Sequence, residues 1–264
     1  MIKIISLFFV SLLVTAQVCA EQTNNRSRSP LLKMLTQLDL SEQQKREIKL
    51  YAKDKYKQRV TFRTDDKPIK AALRDIIQAE SWDEPAAIKT LVMNADTKQK
   101  LLNSRALTHH KIWLLLNSAQ QQQLSQMIAV RGNREIIHQR TKIKRQNRWN
   151  RIAKELKLSR EQSRKIEVFQ QDFEQQRRLF TDHQNEYKIA ERNIIKATEF
   201  NQLAWQDLYS EYERAMIDLA LAAAHMQHQI INVLNESQKT KFEKHYRRLK
   251  PTFSVTSCID DIVG

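Results

Sequence analysis

Apolar residues return along most of this chain at steps of three, four and seven, the spacing that gathers them on one face of an α-helix. Behind Ser159 they fall at Ile166, Phe169, Phe173, Phe180, Tyr187, Ala190 and Ile194. A further segment carries Leu208, Tyr212, Ala215, Leu219, Ala222, Met226, Ile230 and Val233. An earlier stretch follows the same plan in more polar form: Ile48, Tyr51, Phe62, Ile69, Ala72 and Ile76, interrupted by Lys55 and Arg59. With 2 Gly and 4 Pro in 264 residues, the punctuation for many short strands is missing. The pattern predicts an all-α protein.

The stripes are written twice. "LDLSEQQKREI" at 38–48 and "LKLSREQSRKI" at 156–166 agree at six of eleven positions, an offset of 118 residues. In that register Gln58-Arg59 falls on Gln176-Arg177, Arg74 on Arg192, Ile76-Ile77 on Ile194-Ile195, and His110 on His228. A gapless match over about eighty residues reads as a tandem duplication. Each copy is expected to hold a long helix, a second long helix and a shorter third, with Asp83-Glu84-Pro85 opening the second helix of the first copy.

One phrase recurs four times: Leu40-Ser41 with Gln44, Leu116-Asn117 with Gln120, Leu158-Ser159 with Gln162, and Leu234-Asn235 with Gln238. Within each copy the two phrases lie 76 residues apart. Ser or Asn followed three positions on by Gln is a capping box. The N-cap side chain accepts from a free N–H of the first turn, and the Gln reaches back to the N-cap N–H. These twelve residues are read as helix starts.

Two segments sit outside this plan. "MIKIISLFFVSLLVTAQVCA" has a lysine, an apolar run and a Val-Cys-Ala end, the layout of a secretory signal cleaved after Ala20. The chain is thus expected to be exported, and Cys19 to leave with the signal, so that Cys258 is the sole thiol and no internal disulfide forms. Domain boundaries follow: signal 1–20, a disordered N-terminus 21–29, the first helical repeat 30–131, a basic helical connector 132–155, the second repeat 156–250 and a flexible tail 251–264.

Charge narrows the partners. The net charge is +15, or +14 once Lys3 leaves with the signal. Inside a cell such a surplus suggests nucleic acid. Export argues against that and leaves acidic proteins or anionic lipid surfaces. No phosphate loop, nucleophile elbow or His-Glu-x-x-His sequence is present, so no enzyme is expected. Of the 7 histidines, His225 and His228 lie one turn apart on a predicted helix. No cysteine or acidic cluster completes a zinc set around them, so no metal and no cofactor is expected.

A basic, all-helical, exported chain with four L-[S/N]-x-x-Q phrases resembles the Spy/CpxP family of bacterial periplasmic proteins, whose L-T-x-x-Q phrases these match with Ser or Asn in place of Thr. The resemblance implies an ATP-independent chaperone that holds unfolded exported proteins on a basic, partly apolar face of a cradle-shaped dimer. It implies as the alternative a regulator that binds the periplasmic domain of a stress-sensor kinase. Two units in one chain lead to the expectation of an intramolecular pseudo-dimer. The candidate client-binding residues are Lys55, Gln58, Arg59 and Arg74 in the first copy, with Gln176, Arg177 and Arg192 in the second. The competing reading of these seven is interhelical salt bridges and hydrogen bonds.

Overall fold

The computed structural model describes the backbone of residues 30–132 and 149–248, and their side chains except those of 55–56, 58–66, 131–132 and 243–248. The signal, the N-terminus 21–29, most of the basic connector and the tail with Cys258 lie outside the described residues. Every regular element among the described residues is a helix. In order these are α1 (Pro30–Leu35), α2 (Glu42–Gln78), α3 (Glu84–Val92), α4 (Ala95–Leu115), α5 (Ser118–Gly132), α6 (149–156), α7 (Arg160–Lys196), α8 (Gln202–Val233) and α9 (Glu236–Arg248).

The two longest helices have the same construction. α2 and α7 are each 37 residues, and the bounds of α7 lie 118 positions beyond those of α2. Ser41 and Ser159 open them in extended backbone, where a small hydroxyl can turn onto the first free N–H groups. Ala79 and Ala197 close them with near-identical backbone, and their N–H groups reach back to the Ile76 and Ile194 carbonyls. The next starts also correspond: Asp83 accepts from Ala86 N–H, and Asn201 from Ala204 N–H.

The halves differ in what comes next. α8 runs unbroken for 32 residues, whereas the single second helix expected in the first copy is two helices, α3 and α4. The break falls at Met93-Asn94. Met93 N–H bonds back to Thr90 O, and Asn94 leaves helical geometry at φ −112°. Asn is a poor helix-interior residue, and Asp96 in the first turn of α4 suits a new positive helix end.

α7 and α8 form an antiparallel hairpin around the main core. Ile166, Phe173, Phe180 and Tyr187, spaced by seven, are all buried, as in a coiled-coil seam. On α8 the buried face centres on Trp205, Tyr209, Tyr212, Met216, Leu219, Ala223, Met226 and Ile230. Of the line read from sequence, Tyr212, Leu219, Met226 and Ile230 lie on this buried face, and Leu208, Ala215, Ala222 and Val233 form its half-buried margin. Tyr187 stacks on Tyr212 at 4.3 Å and Trp205 on Tyr209 at 5.2 Å. Each such buried ring is worth about 1.5–3 kcal/mol in transfer energy.

Helices from the two ends of the sequence pack on one another. α4 lies on α7, while α3 and α2 lie on α8. Leu102 and Ala106 of α4 enter the main core. A second cluster joins Leu35, Leu38, Leu40, Ile48, Ile112, Leu116 and Leu124.

Candidate functional site

The four Leu-[Ser/Asn]-x-x-Gln phrases meet in two pairs. Ser41, Asn117, Ser159 and Asn235 each accept from the backbone N–H three residues on, at 2.9–3.2 Å. Each partner Gln accepts from the N-cap N–H at 2.9–3.0 Å. The glutamines then find each other. Gln44 Nε2 donates to Gln120 Oε1 at 2.9 Å and Gln120 Nε2 returns the bond at 3.2 Å. Gln162 and Gln238 do the same at 2.8 and 3.1 Å. The second N–H of each amide goes to a backbone carbonyl: Leu115 from Gln44, Asp39 from Gln120, Val233 from Gln162 and Leu156 from Gln238. Both donors and both acceptor positions of every amide are used. Glutamate would lack the donors, and asparagine the reach. Leu40, Leu116 and Leu234 are buried beneath these starts, and Leu158 packs against the main core.

A second pair of contacts runs between the halves. His110 Nδ1 faces the Ile195 carbonyl at 2.9 Å, and His228 Nδ1 faces the Ile77 carbonyl at 3.2 Å. A carbonyl only accepts, so Nδ1 carries the proton in both rings. The carbonyls belong to the last turns of α7 and α2, where no helical N–H remains for them. Phe200 lies against His110 at 5.6 Å and Trp82 against His228 at 5.5 Å. All three partners of one contact stand 118 positions from those of the other.

Between these lies a polar cluster in the core. Glu191 accepts from Tyr187 Oη at 2.8 Å and Trp205 Nε1 at 3.2 Å, and pairs with Arg105 at 3.4 Å. Burial first, and the Glu191 charge second, push the Tyr187 hydroxyl far above the ordinary tyrosine range. Burial and the Glu213 charge do the same to Tyr209. Sequence reasoning missed Arg105 and Glu191. The signal lay in mismatches of the 118-residue register, which sets Arg105 on Ala223 and Leu73 on Glu191.

The predicted surface residues do not form one site. Lys55, Gln58 and Arg59 lie on α2, and their side chains are outside the described residues. Arg74 and Gln176 are exposed and Arg192 is half-buried. Arg177 is held by Glu174 of its own helix through Nε at 3.0 Å and a terminal nitrogen at 2.7 Å. This is an ion pair within one helix, not the interhelical pair of the competing reading. Lys196 was not singled out, yet it donates to Ser125 Oγ at 2.9 Å and sits 5.0 Å above the Trp113 ring, tying the end of α7 to α5 and α4. Burial first, then the Arg192 charge, lowers its pKa.

Another surface feature is apolar. Ile88 and Val92, one turn apart on α3, and Met93 at its C-cap are 39 %, 38 % and 59 % exposed, an apolar ledge at the end of this helix. Their counterparts on α8 are Gln206, Ser210 and Glu211. α3 packs on α2, whose sequence holds eleven Lys and Arg against six Asp and Glu; α7 holds eight against seven. Among the described residues no group of three or more His, Cys, Asp or Glu is placed to hold a metal ion. His228 spends both ring nitrogens, on the Ile77 carbonyl and on the Asn232 amide at 2.9 Å.

An all-α chain whose helix starts are joined through Leu-[Ser/Asn]-x-x-Gln phrases is the class of protein that the fold and these contacts define. Residues 144–246 match the LTXXQ motif family, the family of Spy/CpxP-like periplasmic proteins. The matched segment contains the Ser159/Gln162 and Asn235/Gln238 phrases. No curated protein and no solved structure matches the chain. No helix among the described residues is long and apolar enough to cross a membrane.

Proposed function

We propose that this chain is a periplasmic, ATP-independent holdase made of two like units that pair within one polypeptide, exported by a signal removed after Ala20. Unfolded exported chains expose apolar segments. A basic surface raises their encounter rate, and scattered apolar side chains then hold them weakly. The observation that carries this reading is the exposed Ile88–Val92–Met93 ledge on α3, packed against the strongly basic α2. Arg74, exposed on α2, adds charge near the helix end, and the paraffin stems of such cations cover apolar client surface. The intrachain pairing is supported by the reciprocal His110–Ile195 and His228–Ile77 contacts.

The test is suppression of light scattering from a reduced, aggregating client by equimolar mature chain without ATP, at low and high salt. Suppression that weakens with salt is expected. Failure at both salts would overturn the holdase and favour binding to a folded sensor-kinase domain, measured as saturable one-site binding.

A further inference from the structure

We infer that Arg105 and Glu191 decide which half of the molecule pairs with which. This rests on the reading above that two like units pair. Two like units can associate in three ways: first with second, first with first, or second with second. The helix caps and the His–carbonyl contacts serve all three alike, because their residues recur 118 positions apart; the apolar stripes recur only in part, with Lys55 opposite Phe173 and Asn94 opposite Tyr212 in that register, but they strand no buried charge. Arg105 and Glu191 do not recur.

Arg105 comes from α4 in the first half and Glu191 from α7 in the second, and both side chains are 8 % exposed. The register places Ala223 where Arg105 would be repeated and Leu73 where Glu191 would be. In the observed pairing Arg105 and Glu191 meet as matched charges, and the positions equivalent to them carry only alanine and leucine. Were two second halves to meet, each Glu191 would face Ala223 and stay buried with Tyr187 and Trp205 but without a cation. Were two first halves to meet, each Arg105 would face Leu73. Either association buries two uncompensated charges.

A buried ion pair is seldom more stabilising than apolar residues of the same size, but stranding one of its members is costly. Stability alone therefore does not account for the pair, whereas exclusion of wrong partners does. The partner chosen by this device is a second half, either of the same chain or, by reciprocal exchange, of another copy.

The test uses the exported chain, residues 21–264, with charge reversals. Arg105→Glu alone and Glu191→Arg alone each set like charges at the buried junction. Urea titration should show the folding equilibrium of each weakened by about a hundredfold or more. The double reversal R105E/E191R should regain part of that loss, the Tyr187 and Trp205 donors being left without their acceptor, and scatter as a monomer. A one-to-one mixture of the single variants, refolded together, should yield a heterodimer of twice the chain mass, because exchange of halves restores both charge pairs. A double reversal as unstable as the singles, or a mixture with the properties of its separate components, would overturn the inference. Loss of client capture by the wild type would overturn the holdase reading and leave these outcomes standing.

Discussion

His228 donates to the carbonyl of Ile77 at 3.2 Å, and His110, 118 residues before it, donates to the carbonyl of Ile195 at 2.9 Å. Each half thus completes the C-terminal turn of the long helix in the other. Alanine at either histidine removes a donor, strands a helix-end carbonyl and empties space beside an aromatic ring. Each of His110→Ala and His228→Ala is expected to cost about 1–3 kcal/mol by chemical denaturation. A value within error of zero for both would mean that water replaces the imidazoles at no cost.

The paired glutamines act as units. Gln162→Ala leaves the Val233 carbonyl, the Ser159 N–H and one face of the Gln238 amide to find water, a loss of about 2 kcal/mol. Once one partner is gone the second has less to lose, so Q162A/Q238A should cost clearly less than the sum of the single changes. Gln162→Glu keeps the shape but sets carboxylate oxygens against the Val233 carbonyl and the Gln238 oxygen. It should be at least as damaging as alanine at neutral pH.

Lys157 has φ 51°, the sole positive φ among described non-glycine residues. It closes α6 in a Schellman turn: its N–H bonds to Lys154 O and the Leu158 N–H to Ala153 O. A side chain at this position costs free energy that glycine avoids. Lys157→Gly should stabilise the chain by about 0.5–1 kcal/mol, seen as a higher denaturation midpoint at unchanged slope.

Replacing the α3 ledge by its α8 counterparts, Ile88→Gln, Val92→Ser and Met93→Glu, separates binding from folding. Met93 is more than half exposed, whereas Ile88 and Val92 are mostly covered, so stability should move by about 0.5 kcal/mol at Met93 and about 1 kcal/mol at each of the other two. Client suppression should fall severalfold if the ledge holds unfolded chains. Unchanged suppression would remove the ledge from the proposed mechanism.

Tyr187 and Tyr209 supply a pH signature. Both hydroxyls are raised above the ordinary 10.0 by burial and a nearby carboxylate. The unfolded chain therefore releases these protons at lower pH than the folded chain does. Their contribution to stability is complete below pH 10.0 and is lost as pH climbs beyond it. In an alkaline titration, tyrosinate absorbance from these two should appear together with the loss of helical CD. Ionisation of all 6 tyrosines while the helices persist would contradict their burial.

What the sequence disclosed was what is local. Helix starts were legible because a capping box spans four residues, and α7 because a seven-residue aromatic spacing has few other readings. The reciprocal bonding of Gln44 with Gln120 was not, since each phrase explains its own glutamine without the other. The break at Met93-Asn94 escaped because Leu91-Val92-Met93 continues an apolar run, and only the conformation at Asn94 ends it. On α8 the stripe was half legible: Tyr212, Leu219, Met226 and Ile230 are buried, but Trp205 and Tyr209, which extend that face toward the helix start, were not on the line. Arg105 and Glu191 escaped because they stand where the 118-residue register disagrees, opposite Ala223 and Leu73.

The crossed histidines also impose an order of events. A chain emerges N-terminus first, so α2 is complete long before the residue that satisfies its Ile77 carbonyl exists outside the exit. For the span of 151 residues between Ile77 and His228, the first half must wait with the face intended for α8 uncovered. Stalled or truncated chains, which keep that face bare, should be the forms most prone to associate.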